Sequence, residues 1–208
     1  MNAPLPAGPV RLSLPHYVLA GGRSRRFGSD KARHRIDGVP MVVRVAEAFA
    51  EHASSTTIIA REANAYADLG LPTVADDLPD AGPLAGLATA LRLSNELNTS
   101  GGGGGWLLLT SCDLRRPDAA TLTPLTNALE QHDAAWAAVY RRDGRFEPFP
   151  GLYHASLAGA VRDTLASPRR SFQALLGGVA DRVADRVAAA AWPADGGPLD
   201  LDRRPDTA

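Results

Sequence analysis

Short apolar runs alternate with longer amphipathic segments along most of the chain, and this alternation limits the fold more than any other feature. The apolar runs at 17–20, 56–60 and 106–113 have the length of strands. The segments 40–53 and 82–97 carry apolar residues at helical spacing. Alternating strands and helices predict an α/β protein with three layers (α/β/α), a Rossmann-like, mostly parallel sheet with helices on both faces.

The second half of the chain is less regular and predicts a mixed sheet. Its periodicities indicate two strands and two helices, the last of them ended by glycine, at 134–141, 149–155, 156–167 and 171–178. The sequence "RRDGR" between the two strands predicts a hairpin turn with solvated charge. Residues 61–70 are predicted to form a helix, whereas "RVADRVAAAAW" is either a helix or the flank of a strand.

Composition narrows the class of protein. With 208 residues and 45% hydrophobic residues the chain predicts one domain, residues 16–206, after a proline-rich, flexible leader at 1–15. A net charge of -1 argues against nucleic acid as a partner, and no apolar run is long enough to cross a membrane. The single cysteine, Cys112, favours a cytoplasmic protein. The five histidines lack metal-ligand spacing and are predicted to fill surface or core positions.

A glycine- and arginine-rich stretch follows the first predicted strand. Ligands of open parallel sheets bind beyond the carboxyl ends of the strands, where Gly21 and Gly22 lie. Their backbone N–H groups can face anionic oxygens, and Arg26 and Lys31 add positive charge. The spacing is not that of a P-loop, because Ala32 stands where the hydroxyl residue is required. Composition alone leaves a charged turn and a phosphate-binding loop as equal alternatives.

Aspartates end two more of the predicted strands, on the same edge of the sheet. Asp113 is interpreted as a magnesium ligand rather than a helix cap, since Mg²⁺ binds one or two carboxylates together with substrate phosphates. For Asp76 and Asp77 a cap or turn and a contact to base or ribose remain open. Gly82 and Gly86 fit either a close approach of backbone to ligand or simple helix capping and packing.

Four segments, in this order and spacing, resemble a known family. "LAGGRSRRFGSDK" (19–31) is similar to the L-A-G-G-x-S-x-R-M-G-x-D-K signature of the nucleotidyltransferases that act on the molybdenum cofactor. "DDLPDAGPLAGL" (76–87) resembles their D-x-G-P-L-A-G segment, and Cys112-Asp113 their C-D pair. "LDLDRRPD" (199–206) resembles the closing N-x-N-T-P-E-D.

The resemblance implies a site residue by residue. It implies that Arg26, Lys31 and Asp113 are catalytic, with Arg26 and Lys31 on the phosphates, and that Asp113 and Asp202 hold Mg²⁺. Asp76 is implied on the base side of the nucleotide. The nucleotide-binding residues implied are Leu19, Ala20, Gly21, Gly22, Ser24, Lys31, Asp76, Gly82, Pro83, Leu84 and Asp113. Arg169 and Arg170 match an arginine pair on the pterin side, so residues 16–117 form a nucleotide-binding half and 118–206 a cofactor-binding half.

The activity that the resemblance implies is transfer of GMP from GTP to the phosphate of molybdopterin, with release of pyrophosphate. Its partners would be these two substrates and proteins that deliver or accept the molybdenum cofactor. The alternatives are a CTP-dependent cytidylyltransferase, a sugar-phosphate nucleotidyltransferase, and a nucleotide-binding protein without catalysis. The segment "GPLAG" argues against a sugar phosphate, whereas Arg115 and Glu147, which depart from the family pattern, leave the non-catalytic alternative open.

Overall fold

The computed structural model describes residues 12–21, 30–99, 105–114 and 116–192. The strands of the main sheet are β1 (Leu14–Leu19), β4 (Ala53–Ala60), β5 (Thr73–Ala75), β6 (Trp106–Ser111), β7 (Ala137–Arg142), β8 (Arg145–His154) and β9 (Val187–Ala191). A small hairpin consists of β2 (Arg35–Ile36) and β3 (Val39–Pro40). The helices are α1 (Met41–Ala48), α2 (Pro83–Thr99), α3 (Leu122–Glu130), α4 (Ala158–Ala166) and α5 (Phe172–Arg182).

The strands pair in the order β5-β4-β1-β6-β8-β7-β9. All run in one direction except β8, which is antiparallel to both of its neighbours, β6 and β7. The strand β1 lies between β4 and β6, so strands from distant parts of the chain are direct neighbours. This sheet confirms the predicted fold, mostly parallel with one antiparallel insertion in the second half.

Helices cover both faces of the sheet. Since successive side chains of a strand point to opposite faces, neighbouring residues of β1 lie in two different cores. Val18 of β1 lies in a core that contains Val45 of α1 and Leu125 of α3. Its neighbour Leu19 lies in a second core that contains Leu91 of α2, with Val161 and Leu176 from the other two helices. Two buried cores separated by one sheet make the three-layer architecture that the alternation predicts.

The carboxyl ends of β1, β4, β5 and β6 meet at one edge of the sheet, and main-chain hydrogen bonds continue the pairing beyond them. The N–H of Ala20 donates to the carbonyl of Ile59 at 2.8 Å, and that of Asp76 donates to Ala60 at 2.7 Å. The N–H of Cys112 donates to the carbonyl of Leu19 at 3.0 Å. Each loop at this edge therefore starts from a fixed position.

Three helix predictions need correction. The segment 61–70 is not a helix but a turn followed by a short 3-10 turn, Ala67–Leu69, because only Tyr66 of the segment is buried and no apolar helical face exists. The helix predicted at 40–53 ends at Ala48, since Phe49 leaves the helical path. α5 continues past its glycines to Arg182, because Leu175, Leu176 and Val179 bury its inner face along that length.

The predicted hairpin turn is confirmed, and the structure decides one segment that the sequence left open. Asp143 and Gly144 both have positive φ (48° and 77°), as expected for the predicted hairpin turn between β7 and β8. The undecided segment after α5 forms β9. None of the described helices is both long and apolar enough to cross a membrane. The predicted leader, residues 1–15, extends too far, because Leu12 is buried in the core and the first strand begins at Leu14. Residues 1–11 and the glycines at 101–104 lie outside the described residues.

His16 is a core residue. It is fully buried in β1, its Nε2 lies 2.9 Å from Oγ1 of Thr110, and its ring packs edge-on against Phe49. Burial lowers the pKa of His16 to about 3, because the charged imidazolium would lose its hydration. His16 is therefore neutral in the folded protein at neutral pH.

Candidate active site

A cavity of about 420 Å³ lies at the edge where the carboxyl ends of β1, β4, β5 and β6 meet. Eight of the residues predicted for the site line it: Leu19, Ala20, Gly21, Lys31, Asp76, Gly82, Pro83 and Asp113. They come from three separate segments of the chain, and the sheet brings them together. The aromatic ring of Phe149, from β8, also lines this cavity.

Lys31 and Asp113 form an ion pair in the cavity. The Nζ atom of Lys31 lies 2.5 Å from Oδ2 of Asp113, and the two side chains are 15% and 16% exposed. The hydroxyl of Ser111 donates a hydrogen bond to Oδ1 of the same carboxylate. Both oxygens of Asp113 are thus engaged at the end of β6.

Lys31 is the only lysine of the chain, and the remaining 21 of its 22 basic residues are arginines. An ammonium is a compact point charge with three donors, whereas a guanidinium is a broad planar group. The ammonium of Lys31 meets the carboxylate of Asp113 at a partly buried position. The chain retains lysine at the position where a small cation meets a carboxylate.

Side-chain contacts stabilise the short 3-10 turn that carries Lys31 (Lys31–Arg33). Asp30 caps the turn by accepting from the N–H of Ala32 at 3.0 Å, and the hydroxyl of Tyr66 donates to Asp30 at 3.1 Å. Burial and the negative charge of Asp30 raise the pKa of Tyr66 above its usual range. Arg33 adds a bidentate hydrogen bond to Asp68. These contacts hold the backbone from which Lys31 extends.

The first turn of α2 forms another wall of the cavity. Gly82 precedes it with φ of +87°, a backbone conformation that favours glycine. Gly86 lies against β1, where an added Cβ would be 2.6 Å from Cδ2 of Leu19. Gly86 is therefore needed for close packing of helix on sheet. The N-terminus of α2 at the cavity favours an anionic ligand there.

Asp76 and Asp77, which the sequence leaves undecided, have different surroundings. Asp76 lines the cavity, and its Oδ1 accepts hydrogen bonds from Thr89 at 3.0 Å and from the N–H of Leu78 at 3.1 Å. Asp77 lies on the outer side in a bidentate ion pair with Arg92, at 2.7 and 2.9 Å. Of the two carboxylates, only that of Asp76 is placed to meet a ligand in this cavity.

Residues 16–188 match the MobA-like NTP transferase domain, which accounts for most of the chain. The chain belongs to the MobA-like NTP transferase family. It is therefore a nucleotidyltransferase, and the segment matched contains Lys31, Asp76 and Asp113 together with all or part of every strand of the sheet.

This MobA-like transferase is similar to proteins that are named as molybdenum cofactor guanylyltransferases. A probable molybdenum cofactor guanylyltransferase of Synechococcus elongatus is 32% identical over 169 residues, which cover 78% of this chain and 83% of the relative. The molybdenum cofactor guanylyltransferase of Burkholderia orbicola is 32% identical over 171 residues, 79% of this chain and 78% of the relative. The solved structure of a protein from Aquifex aeolicus VF5 has the same fold, with a TM-score of 0.69, 22% identity, and coverage of 93% and 95% of the two chains.

Some residues predicted for the site lie elsewhere in this MobA-like transferase. Leu84 is fully buried in the core under α2 and does not line the cavity. Arg169 and Arg170 are exposed in the loop between α4 and α5. That loop is near the cavity, because Phe172, which follows it, packs edge-on against Phe149 with ring centroids 5.3 Å apart. The remaining predicted site residues, Gly22, Ser24, Arg26 and Asp202, lie outside the described residues.

The sequence reasoning missed Ser111, Thr89 and Phe149. Ser111 has a usable signal, since it stands two positions before Asp113 at a strand end, where side chains two apart share a face. Thr89 carries no such signal, because its contact to Asp76 joins a helix interior to a strand end 13 residues away. Phe149 reaches the cavity only because β8 inserts beside β6. Cys112 is buried in the core at the edge of the site, in accord with a structural thiol.

Proposed function

We propose that this MobA-like transferase moves GMP from GTP to the phosphate of molybdopterin and releases pyrophosphate. The observation that carries the proposal is the Lys31–Asp113 pair inside a strand-end cavity that Asp76 and the first turn of α2 also line. The names of the curated relatives support guanylyl transfer. Lys31 and Asp113 lie together in one cavity, and this argues against a protein that only binds nucleotide.

The reaction needs charge neutralisation more than covalent chemistry. An oxygen of the molybdopterin phosphate forms a bond to the α-phosphorus of GTP, the bond from that phosphorus to the bridging oxygen breaks, and pyrophosphate leaves with the electron pair. Because both reactants are anions, positioned positive charge lowers the barrier. We assign this part to Lys31, with Arg26 as its proposed partner. Cys112 takes no part as a nucleophile.

Asp113 is the proposed ligand of a divalent cation, Mg²⁺. The described residues contain no group of three or more metal-ligating side chains. Mg²⁺ nevertheless fits, since it is usually held by one or two carboxylates together with substrate phosphates and waters. When bound, the ion would neutralise phosphate charge. Asp202 is proposed as a second ligand. Ser111 keeps the carboxylate of Asp113 oriented, and Lys31 must release Oδ2 if the cation is to contact that oxygen.

The remaining proposed roles concern binding. The backbone of Leu19, Ala20 and Gly21 is proposed to hold the triphosphate, together with Gly22 and Ser24. Gly82 and Pro83 would approach the nucleotide from the start of α2, with Leu84 anchoring that turn in the core. Arg169 and Arg170 are proposed to bind the anionic pterin substrate, which a loop next to Phe149 would allow. Residues 16–117 and 118–206 would then divide the two substrates between them.

The test is an assay of pyrophosphate release by the purified protein. It is supplied with Mg²⁺, with GTP or CTP, and with molybdopterin or a sugar phosphate. Release that depends on GTP and molybdopterin together is the expected result. Release with CTP and molybdopterin but not with GTP selects the cytidylyltransferase. Release that requires a sugar phosphate selects the sugar-phosphate nucleotidyltransferase. Binding of GTP without any release would contradict the proposal and favour a non-catalytic nucleotide-binding protein.

A further inference from the structure

The hydroxyl of Thr89 lies beneath the turn that follows β5. Thr89 belongs to α2 and is fully buried, yet its Oγ1 has polar neighbours on the adjacent loop. It is 3.0 Å from Oδ1 of Asp76, and the N–H of Asp77 donates to it at 3.1 Å. One buried hydroxyl therefore contacts two consecutive residues of the turn.

The single proton of the hydroxyl has two possible acceptors. Oγ1 of Thr89 is also 3.3 Å from the carbonyl oxygen of Ala85, one turn earlier in α2. The Asp76 carboxylate is both closer and charged, and a charged acceptor makes the stronger hydrogen bond. Thr89 thus donates to Asp76 and accepts from Asp77, which satisfies the hydroxyl in both directions.

The two carboxylate oxygens of Asp76 are not equivalent. Oδ1 accepts from Thr89 and from the N–H of Leu78 at 3.1 Å. Among the residues that the structure describes, none donates a hydrogen bond to Oδ2. Asp76 lines the cavity, so a carboxylate clamped through one oxygen keeps the other as an acceptor for a ligand.

A second clamp acts on the same turn but not on Asp76. Arg92, three residues after Thr89 in α2, holds Asp77 through both carboxylate oxygens and also contacts Glu96 at 2.8 Å. Arg92 fixes the outer side of the turn at an exposed position, whereas Thr89 fixes the side that faces the cavity. The two contacts can therefore be separated by mutation.

We infer that Thr89 is a positioning residue for nucleotide recognition, which orients Asp76 so that its second oxygen accepts from an N–H group of the guanine base. The identity of the nucleotide rests on the function proposed above. Guanine presents a ring N–H and an amino group side by side, and both can donate to a carboxylate oxygen. Thr89 touches no substrate in this account and acts only through Asp76.

The decisive variants remove or keep the hydroxyl. Thr89→Val deletes it at nearly constant shape, and Thr89→Ser keeps it. Ser94→Ala is the matched control, because the Ser94 hydroxyl is also buried in α2 but has no hydrogen-bond partner among the described residues. GTP affinity is measured by titration calorimetry with Mg²⁺, and KM and kcat by pyrophosphate release. If the valine variant does not fold, Thr89→Ala takes its place.

The expected result is that Thr89→Val raises the Kd and KM for GTP about tenfold, which corresponds to about 1.4 kcal/mol. The kcat should stay nearly constant, and Thr89→Ser and Ser94→Ala should bind GTP like the wild type. In an Asp76→Ala background, Thr89→Val should have no further effect on Kd, since the two residues act in series. Additive effects, or a Thr89→Val affinity equal to that of Ser94→Ala, would overturn the inference.

The outcomes also separate this inference from the proposed function. If the wild type binds GTP but does not release pyrophosphate with molybdopterin, the proposed reaction fails, and the calorimetric comparison still decides the role of Thr89. If the wild type transfers GMP and the Thr89→Val affinity is unchanged, the reaction stands and the role of Thr89 is refuted.

Discussion

Lys31 and Asp113 are 82 positions apart in the chain, and Nζ of the one lies 2.5 Å from Oδ2 of the other. The pair joins the 3-10 turn Lys31–Arg33 to the end of β6. Its partial burial limits screening by solvent, so the two charges interact strongly in the absence of ligands. In the proposed reaction each charge exchanges this contact, the lysine for phosphate and the carboxylate for a divalent cation.

The first prediction concerns the single lysine. Lys31→Ala should lower kcat/KM by about 100-fold or more, because a positioned charge at a reacting phosphate is worth several kcal/mol. Lys31→Arg should not restore activity, since a broad planar guanidinium does not replace a compact ammonium at this partly buried position. Steady-state pyrophosphate release measures both. Arg35→Ala, on the neighbouring β2–β3 hairpin, is the control and should remain active, whereas near-normal turnover of Lys31→Ala would refute the role of Lys31.

The second prediction concerns the carboxylate. Asp113→Asn keeps the size of the side chain but removes its charge, so turnover should fall by about 100-fold or more. Added Mg²⁺ should not restore it. Ser111→Ala, which removes only the hydrogen bond to Oδ1, should cost much less activity. A titration of rate against Mg²⁺ concentration separates the two variants. If Asp113→Asn reached half of its maximal rate at the same Mg²⁺ concentration as the wild type, a direct role of the carboxylate in metal binding would be contradicted.

The third prediction tests the packing of α2 on β1. Gly86→Ala places a methyl group 2.6 Å from Cδ2 of Leu19, so the free energy of unfolding should fall by about 1–3 kcal/mol. Gly177→Ala is the matched control, because its Cβ meets nothing within 4 Å inside α5 and should stabilise the protein by about 0.5–1 kcal/mol. Urea denaturation measures both. A Gly86→Ala protein as stable as the wild type would show that Leu19 moves aside without cost.

The fourth prediction concerns acid stability. The pKa of His16 is lowered to about 3 in the folded protein, whereas the unfolded chain binds a proton near the ordinary histidine value of 6.5. Between these two values the unfolded state binds more protons, so the contribution of His16 to stability is lost as the pH falls from about 6.5 toward 3. The slope is ~1.4 kcal/mol per pH unit. His16→Asn removes the titration.

Denaturation curves at pH 7, 6, 5 and 4 test this directly. The free energy of unfolding of the wild type should fall more steeply with acid than that of His16→Asn. Parallel pH dependences of the two proteins would show that His16 does not contribute to the acid sensitivity. The asparagine variant is expected to be less stable at pH 7, because it loses the packing of the imidazole ring against Phe49.

The local sequence pattern was sufficient to predict those strands and turns whose conformation depends mainly on their own residues. The apolar runs that become β1, β4 and β6 are recognisable because strands buried on both faces are continuously apolar. The hairpin turn is recognisable because an Asp-Gly pair readily adopts the positive φ that Asp143 and Gly144 show. The pattern failed at 61–70, where helix-forming residues lack a buried face. Tyr66 instead inserts into the core and donates a hydrogen bond from its hydroxyl to Asp30, a contact between distant segments that periodicity does not report.

The sequence by itself determined the alternation of strands and helices, and with it the edge of the sheet at which glycines and aspartates gather. Only the tertiary structure decided which of these residues meet. Because β1 pairs with β4 on one side and β6 on the other, Lys31 reaches Asp113. Because α2 packs back onto β6, β1 and β4, Thr89 lies under Asp76 while Asp77 turns outward to Arg92. Hydrogen bonds of this kind depend on the order of strands in space, which spacing along the chain does not encode.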